Sequence, residues 1–211
     1  MIGKKIIQYY DDPTDVISLA ECKAHLDVIR TDQDSLIETY LGSAIAWCSQ
    51  HLGFEIRRAH CHYFFDRDET FTIETQKLRY RAGLRIPANV LTLTSVSYRN
   101  ENLTYTALSA SDYDFISAGE HIPIIKILNT PETFADTGAS YLVQITEGYY
   151  NIGSGSTAND GDLLPNDVKI AILLKLRDLY DFRGNELMGN VSQMANTAEH
   201  YLFPHAKKMI V

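Results

Sequence analysis

The residues of this chain best suited to metal chemistry are His60, Cys61 and His62. Imidazole and thiolate are good zinc ligands, but a structural zinc site wants a full tetrahedral set, usually completed by a second paired motif. His51 is a possible third histidine, and no second motif appears. In a strand, alternation puts His60 and His62 on one face and Cys61 on the other. The triplet therefore reads as a half-buried strand, and no metal site is expected.

Asp66, Asp68 and Glu69 offer carboxylates for a divalent cation or for acid–base work, which is the basis for a small hydrolase or nuclease. They share the segment 66–85 with Arg67, Lys77, Arg79, Arg81 and Arg85, which reads as a solvated hairpin or loop. Cys48 as a nucleophile would need a base placed beside it. It stands instead on an apolar helical stripe and reads as core. Gly153-Ser154-Gly155-Ser156 lacks the lysine of a phosphate-binding loop, and neither GxGxxG nor GxSxG occurs. Asp160 and Asp162 border this glycine-rich stretch as solvating groups, or help cap the helix that follows. No catalytic residue, no metal ligand and no cofactor is expected, and the chain reads as a non-enzyme.

The surrounding elements can be read from spacing. Residues 1–17 form a lead, and Asp11-Asp12-Pro13 interrupts regular structure. Ser18, with Glu21 three residues on, has the spacing of a capping box and opens a short helix carrying Leu19, Cys22 and Leu26. Thr31-Asp32-Gln33-Asp34 opens the next. There Leu36, Ile37, Tyr40, Leu41, Ala44, Ile45, Cys48 and Leu52 follow in steps of three and four, the helical period. Gly53 stands where a glycine ends a helix. The helical part 18–53 gives way to a β-rich stretch, 54–150. Its segments 61–65, 71–75, 90–98, 113–116, 122–128 and 141–147 are rich in β-branched and aromatic residues, with turn formers between them. Residues 151–165 begin as a polar, flexible loop. Pro165 suits the start of a helix that covers most of 166–190 and is apolar nearly all round. Either that helix is central to its domain, or one of its faces meets another subunit. Residues 191–211 hold a possible short helix and an apolar, basic tail. The fold class is α+β.

Composition narrows the function. The chain has 211 residues, 45% of them hydrophobic and 22% charged, which are ordinary globular values. Its formal net charge is −8. Gripping DNA through phosphates needs clustered lysine and arginine, so an acidic chain is not expected to wrap DNA, although a negative wall can surround a sliding duplex. The three cysteines, Cys22, Cys48 and Cys61, show no CxxC spacing and fit a reducing compartment. The first residues are too short an apolar run for a signal peptide. No stretch approaches the roughly 20 apolar residues of a membrane span.

Taken in order, three stretches resemble the head–tail connector (adaptor, or head-completion) proteins of tailed phages. The first runs from Ser18-Leu19-Ala20-Glu21 through Asp32-Gln33-Asp34 to Leu52-Gly53. The second is Leu84-Arg85-Ile86-Pro87 followed by 93–98. The third is Val143-Gln144-Ile145-Thr146-Glu147-Gly148-Tyr149, the polar loop, and Leu164-Pro165 through Tyr180 and Arg183. The likeness covers residues 18–208; the charged segment 66–85 is longer than that family's core, and residues 1–17 have no counterpart. The resemblance implies a small helical bundle with an inserted, mostly antiparallel β-domain and an extended C-terminal docking tail. It implies a homo-oligomer, a twelvefold ring below the portal protein in the virion neck, assembled in the host cytoplasm. A stopper or tail terminator would bind below, and double-stranded DNA would pass through the lumen without sequence-specific contact. No membrane is involved. Portal docking would fall to Leu202, Phe203, Pro204, His205, Lys207, Lys208, Met209, Ile210 and Val211. The subunit interface would use Ile170, Leu173, Leu174, Arg177, Tyr180 and Arg183. Another virion adaptor, at tail completion or the baseplate, is the alternative.

Overall fold

The structure, a computed structural model, describes residues 3–66, 83–86, 89–116, 123–129, 140–149, 163–181 and 197–206. The chain divides into two compact units, Tyr10–Arg58 with Gly148–Val211, and Met1–Tyr9 with Ala59–Glu147. Helices fill the first and antiparallel sheets the second, so the fold is α+β.

In the helical unit, α1 (Pro13–Val16) is a single turn. Ser18 caps α2 (Leu19–Leu26): its hydroxyl accepts from the Glu21 amide, and the Glu21 carboxylate accepts from the Ser18 amide, both at 3.3 Å. This reciprocal pairing satisfies two amide donors that a helix start leaves open. α3 (Asp34–Leu52) buries Ile37, Leu41, Ala44, Ile45, Cys48 and Leu52 along one stripe, while Leu36 and Tyr40 are half-buried. Gly53 closes it at φ 87, a conformation that penalises a Cβ.

α4 (Asn166–Asp181) turns Val168, Ala171, Ile172, Leu176 and Tyr180 inward and packs against α2, α3 and α5 (Thr197–Leu202). Burying each large aliphatic side chain contributes about 1.5–3 kcal/mol. α4 is thus central to this unit. Polar bonds fix its azimuth. Lys169 donates to Glu21 at 2.5 Å, Arg177 donates to the His25 carbonyl at 3.2 Å, and the Tyr180 hydroxyl bonds the Gln33 side chain. The Lys169 contact also holds the Glu21 carboxyl below its usual range.

Other segments complete the unit. Arg58 grips Asp11 with two guanidinium nitrogens, a geometry that lysine cannot reproduce. The Tyr149 amide donates to the Ile56 carbonyl at 3.0 Å. Gly148 has φ +119, and a Cβ there would lie 2.6 Å from the Arg57 carbonyl oxygen, so only glycine fits.

Among the described residues the other unit holds two sheets. β1 (Gly3–Tyr9), β2 (Ala59–Phe65), β8 (Tyr141–Glu147), β4 (Val90–Arg99) and β5 (Tyr105–Ala107) lie side by side in that order, every pair antiparallel. β3 (Leu84–Arg85), β7 (Ile124–Ile127) and β6 (Tyr113–Ile116) form the second sheet, also antiparallel. β2 alternates as its sequence predicts: Ala59, Cys61, Tyr63 and Phe65 are buried, and His60, His62 and Phe64 are half-buried. Opposite it, β8 buries Tyr141, Val143, Ile145 and Glu147 on the same face.

Two strands sharpen the sequence reading, in which the lead 1–17 is extended and 84–87 resembles a strand entering the β-region, and a third departs from it. Part of the lead 1–17 is β1, whose pairing with β2 runs from Gly3 to Tyr9. The charged segment 66–85 does not end as a loop: Leu84 is fully buried in β3, because alternation sends Leu84 and Ile86 inward and Arg85 outward. β5 was not legible, since Tyr105, Thr106 and Ala107 are all exposed and its pairing with β4 comes from the turn at Asn100. The expected strand 71–75, the glycine-rich 151–162 and the end of the helix at 182–183 lie outside the described residues.

Candidate assembly surfaces

The chemistry-bearing side chains are dispersed. His60 and His62 stand side by side on the half-buried face of β2, with ring centroids 5.3 Å apart. Burial first, then the His60 and Lys5 charges, push the His62 imidazole below its usual range. His51 belongs to the helical unit. One ring nitrogen meets the Trp47 carbonyl at 2.9 Å and the other meets Glu199 at 3.2 Å. Among the described residues no three metal-ligating side chains come together. Asp66 is exposed at the end of β2, and Asp68 and Glu69 lie outside the described residues.

All three cysteines are free and buried, which places Cys48 in the core as its stripe predicts. Burial pushes the Cys22 thiol up to about 11 and the Cys48 thiol up to about 12. At pH 8 a thiol titrating near 11 is thiolate to about one part in a thousand, and the thiolate is the reactive form. A maleimide reagent at pH 7–8 should therefore label none of the three in the native chain and all three in urea. Because the folded values are raised, the thiols favour the folded state below the unfolded value near 9. That contribution is lost as pH climbs from about 9 toward 12. Rapid native labelling, read by intact mass, would refute this placement.

One polar cluster went unrecognised in the sequence. Glu147 is fully buried, ion-paired to Lys4 of β1 and hydrogen-bonded by the Tyr63 hydroxyl at 2.5 Å. The Lys4 ammonium also lies 5.7 Å from the centroid of the Tyr63 ring. The signal was present, since alternation through Tyr141, Val143 and Ile145 carries Glu147 onto the inner face. A carboxylate with no solvent access has no route to a substrate. Its role is to join β1, β2 and β8.

Several apolar side chains of the helical unit are only partly covered among the described residues. On α4, Ile170 is 40% exposed, Leu173 and Leu174 are half-buried, and Arg177 is exposed. Tyr180 is buried inside the unit, and Arg183 lies outside the described residues. At the C-terminal side, α5 is followed by a single 3-10 turn, Phe203–His205. Leu202 is buried in the core, Phe203 is 82% exposed and Pro204 is exposed. His205 lies 3.7 Å from Asp167. Residues 207–211 lie outside the described residues. Phe203 thus stands outside the core, on a turn anchored through Leu202.

This fold has known counterparts. It is shared with chains of gene transfer agent (GTA) particles. A chain from the neck of an empty GTA particle, computed with C6 symmetry, superposes with a TM-score of 0.69 at 17% identity, covering 100% of this chain and 98% of that one. A chain from the virion of a native GTA particle gives 0.67 at 18% identity, with 100% and 97% covered. A chain from the neck of a native GTA particle, computed with C12 symmetry, gives 0.64 at 16% identity, with 95% and 94% covered. At these identities the likeness defines the fold. No family model matches the chain, and no curated protein matches it.

Proposed function

We propose that this chain is a structural, non-enzymatic subunit of the neck of a phage-like particle, a head–tail connector that forms a ring, of twelve copies, below the portal. The observation that carries the proposal is end-to-end agreement of fold with neck chains of GTA particles, both helical and sheet parts included. The outer face of α4, with Ile170, Leu173, Leu174 and Arg177, packs against the adjacent copy. The C-terminal segment beginning at Phe203 docks on the portal. DNA passes through the lumen, and a chain of net charge −8 does not grip phosphate, which leaves the duplex free to slide. A stopper or tail terminator binds beneath. The chain resides in the virion neck after assembly in the host cytoplasm.

Electron microscopy of the full chain mixed with the portal protein of the same genome tests this. A ring seated on the portal is expected. Deleting residues 203–211 should leave the far-ultraviolet circular dichroism spectrum nearly unchanged and remove the ring from the portal. No ring with or without portal would overturn the reading, and unchanged docking after the deletion would overturn the tail assignment. Crosslinking in virions to a baseplate protein instead of the portal would move the chain to another adaptor position.

A further inference from the structure

An edge strand offers a row of backbone donors and acceptors to any strand that comes alongside, and proteins usually guard such edges with charge, shortness or a bulge. The five-stranded sheet has two edges, β1 and β5. β1 spans seven residues, and no described strand lies on its outer side. Its pairing steps from Ile6–Cys61 to Gln8–His60, so Ile7 is an extra, bulged residue. A bulge re-aims a side chain. Here it presents an isoleucine 46% exposed, beside Ile6 at 36%. The edge thus carries two of the usual guards, a bulge and Lys5, yet still leaves two isoleucines exposed. β5 is a short edge of three exposed residues, Tyr105, Thr106 and Ala107, and the turn before it leaves Leu103 54% exposed in a left-handed conformation. Exposed Lys5 lies on β1, and the β4–β5 hairpin carries both Arg99, whose Nε donates to the Leu103 carbonyl at 3.5 Å, and exposed Glu101.

We infer that the β1 edge of one copy docks on the β5 edge of a second copy of this chain, joining the sheets of neighbouring subunits. This rests on the ring reading above. A closed ring needs two different, mutually complementary patches on each subunit, a heterologous contact. The two edges of a single sheet are such a pair, able to join by main-chain hydrogen bonds and apolar contact. The contact is distinct from the α4 face and sits in the other unit. A guest peptide that merely added to β1 would leave the β5 edge out of the contact.

The test uses the full chain with Ile7→Cys and Leu103→Cys together, against each single variant, treated with a short bismaleimide at increasing protein concentration. The native thiols are buried and give a silent background. The double variant should give a ladder of covalent oligomers, whereas neither single variant should pass beyond traces of dimer. Ile6→Lys added to the double variant should suppress the ladder at least tenfold, with an unchanged circular dichroism spectrum. Electron microscopy of the same samples separates this inference from the neck reading. Rings without a ladder leave that reading standing and overturn the edge contact. A ladder without rings on the portal does the reverse. Dimers from the Ile7→Cys single variant would mean that β1 pairs with itself, which also overturns the proposed pairing.

Discussion

Leu41→Asp is expected to leave the helical unit unfolded at room temperature. Leu41 sits in the middle of α3 with no solvent exposure, on the stripe it shares with Ile37, Ala44, Ile45 and Cys48. Losing a buried leucine costs about 2–5 kcal/mol by itself. Placing a carboxylate among apolar groups adds a desolvation cost of several kcal/mol more, whether the group stays charged or takes up a proton. The sum reaches the roughly 5–15 kcal/mol that holds a typical domain together. Leu41→Met, which conserves volume, should cost less than about 1.5 kcal/mol. Urea unfolding followed by circular dichroism at 222 nm reads both. A Leu41→Asp chain that kept the parental midpoint would show that the α3 stripe does not face a core.

Lys4→Met is expected to destabilise the sheet-bearing unit by on the order of 3 kcal/mol. Removing one member of a buried ion pair leaves the other less well compensated, and that loss exceeds what the intact pair contributes. Glu147 has no exposure, and its carboxylate is held by Lys4 and by the Tyr63 hydroxyl. Methionine can occupy the space of the lysine stem but leaves Glu147 buried beside an apolar group. The double variant Lys4→Met/Glu147→Gln should recover more than half of the loss, because the amide carries no charge to strand. A double-mutant cycle on urea midpoints isolates this coupling. Equal losses in the single and double variants would show that the Lys4–Glu147 pairing is not what stabilises β1.

Both variants bear on assembly. The proposed edge contact uses β1, and β1 is held to the sheet partly through Lys4. Lys4→Met should therefore also weaken the Ile7–Leu103 crosslink, while Leu41→Asp should remove the α4 face on which the helical unit would pack against the adjacent copy.

Local patterns determined much of this protein. The capping pair Ser18–Glu21, the α3 stripe and its closing Gly53, the alternation of β2, and the start of α4 after Pro165 are all short-range signals. Each depends on residues a few positions apart, so the chain states them without its partners. The α+β class follows directly from where the period changes.

What the tertiary structure decided involves residues far apart in sequence. β1 became a strand because β2, some fifty positions away, supplies its hydrogen bonds. β3 follows a charged run and is too short to show a period, so only the resemblance over Leu84–Pro87 marked it as a strand. Alternation alone carries Glu147 to the inner face, but what balances its charge there was not legible, because Lys4 lies at the other end of the unit's sequence. α4 looked equally greasy on two faces, and only the packing of α2, α3 and α5 selected Val168, Ile172 and Leu176 for the core, leaving Ile170 outside. Periodicity says that a side chain is apolar; which apolar surface is covered within one copy, and which remains for another, is decided by what the rest of the chain brings against it.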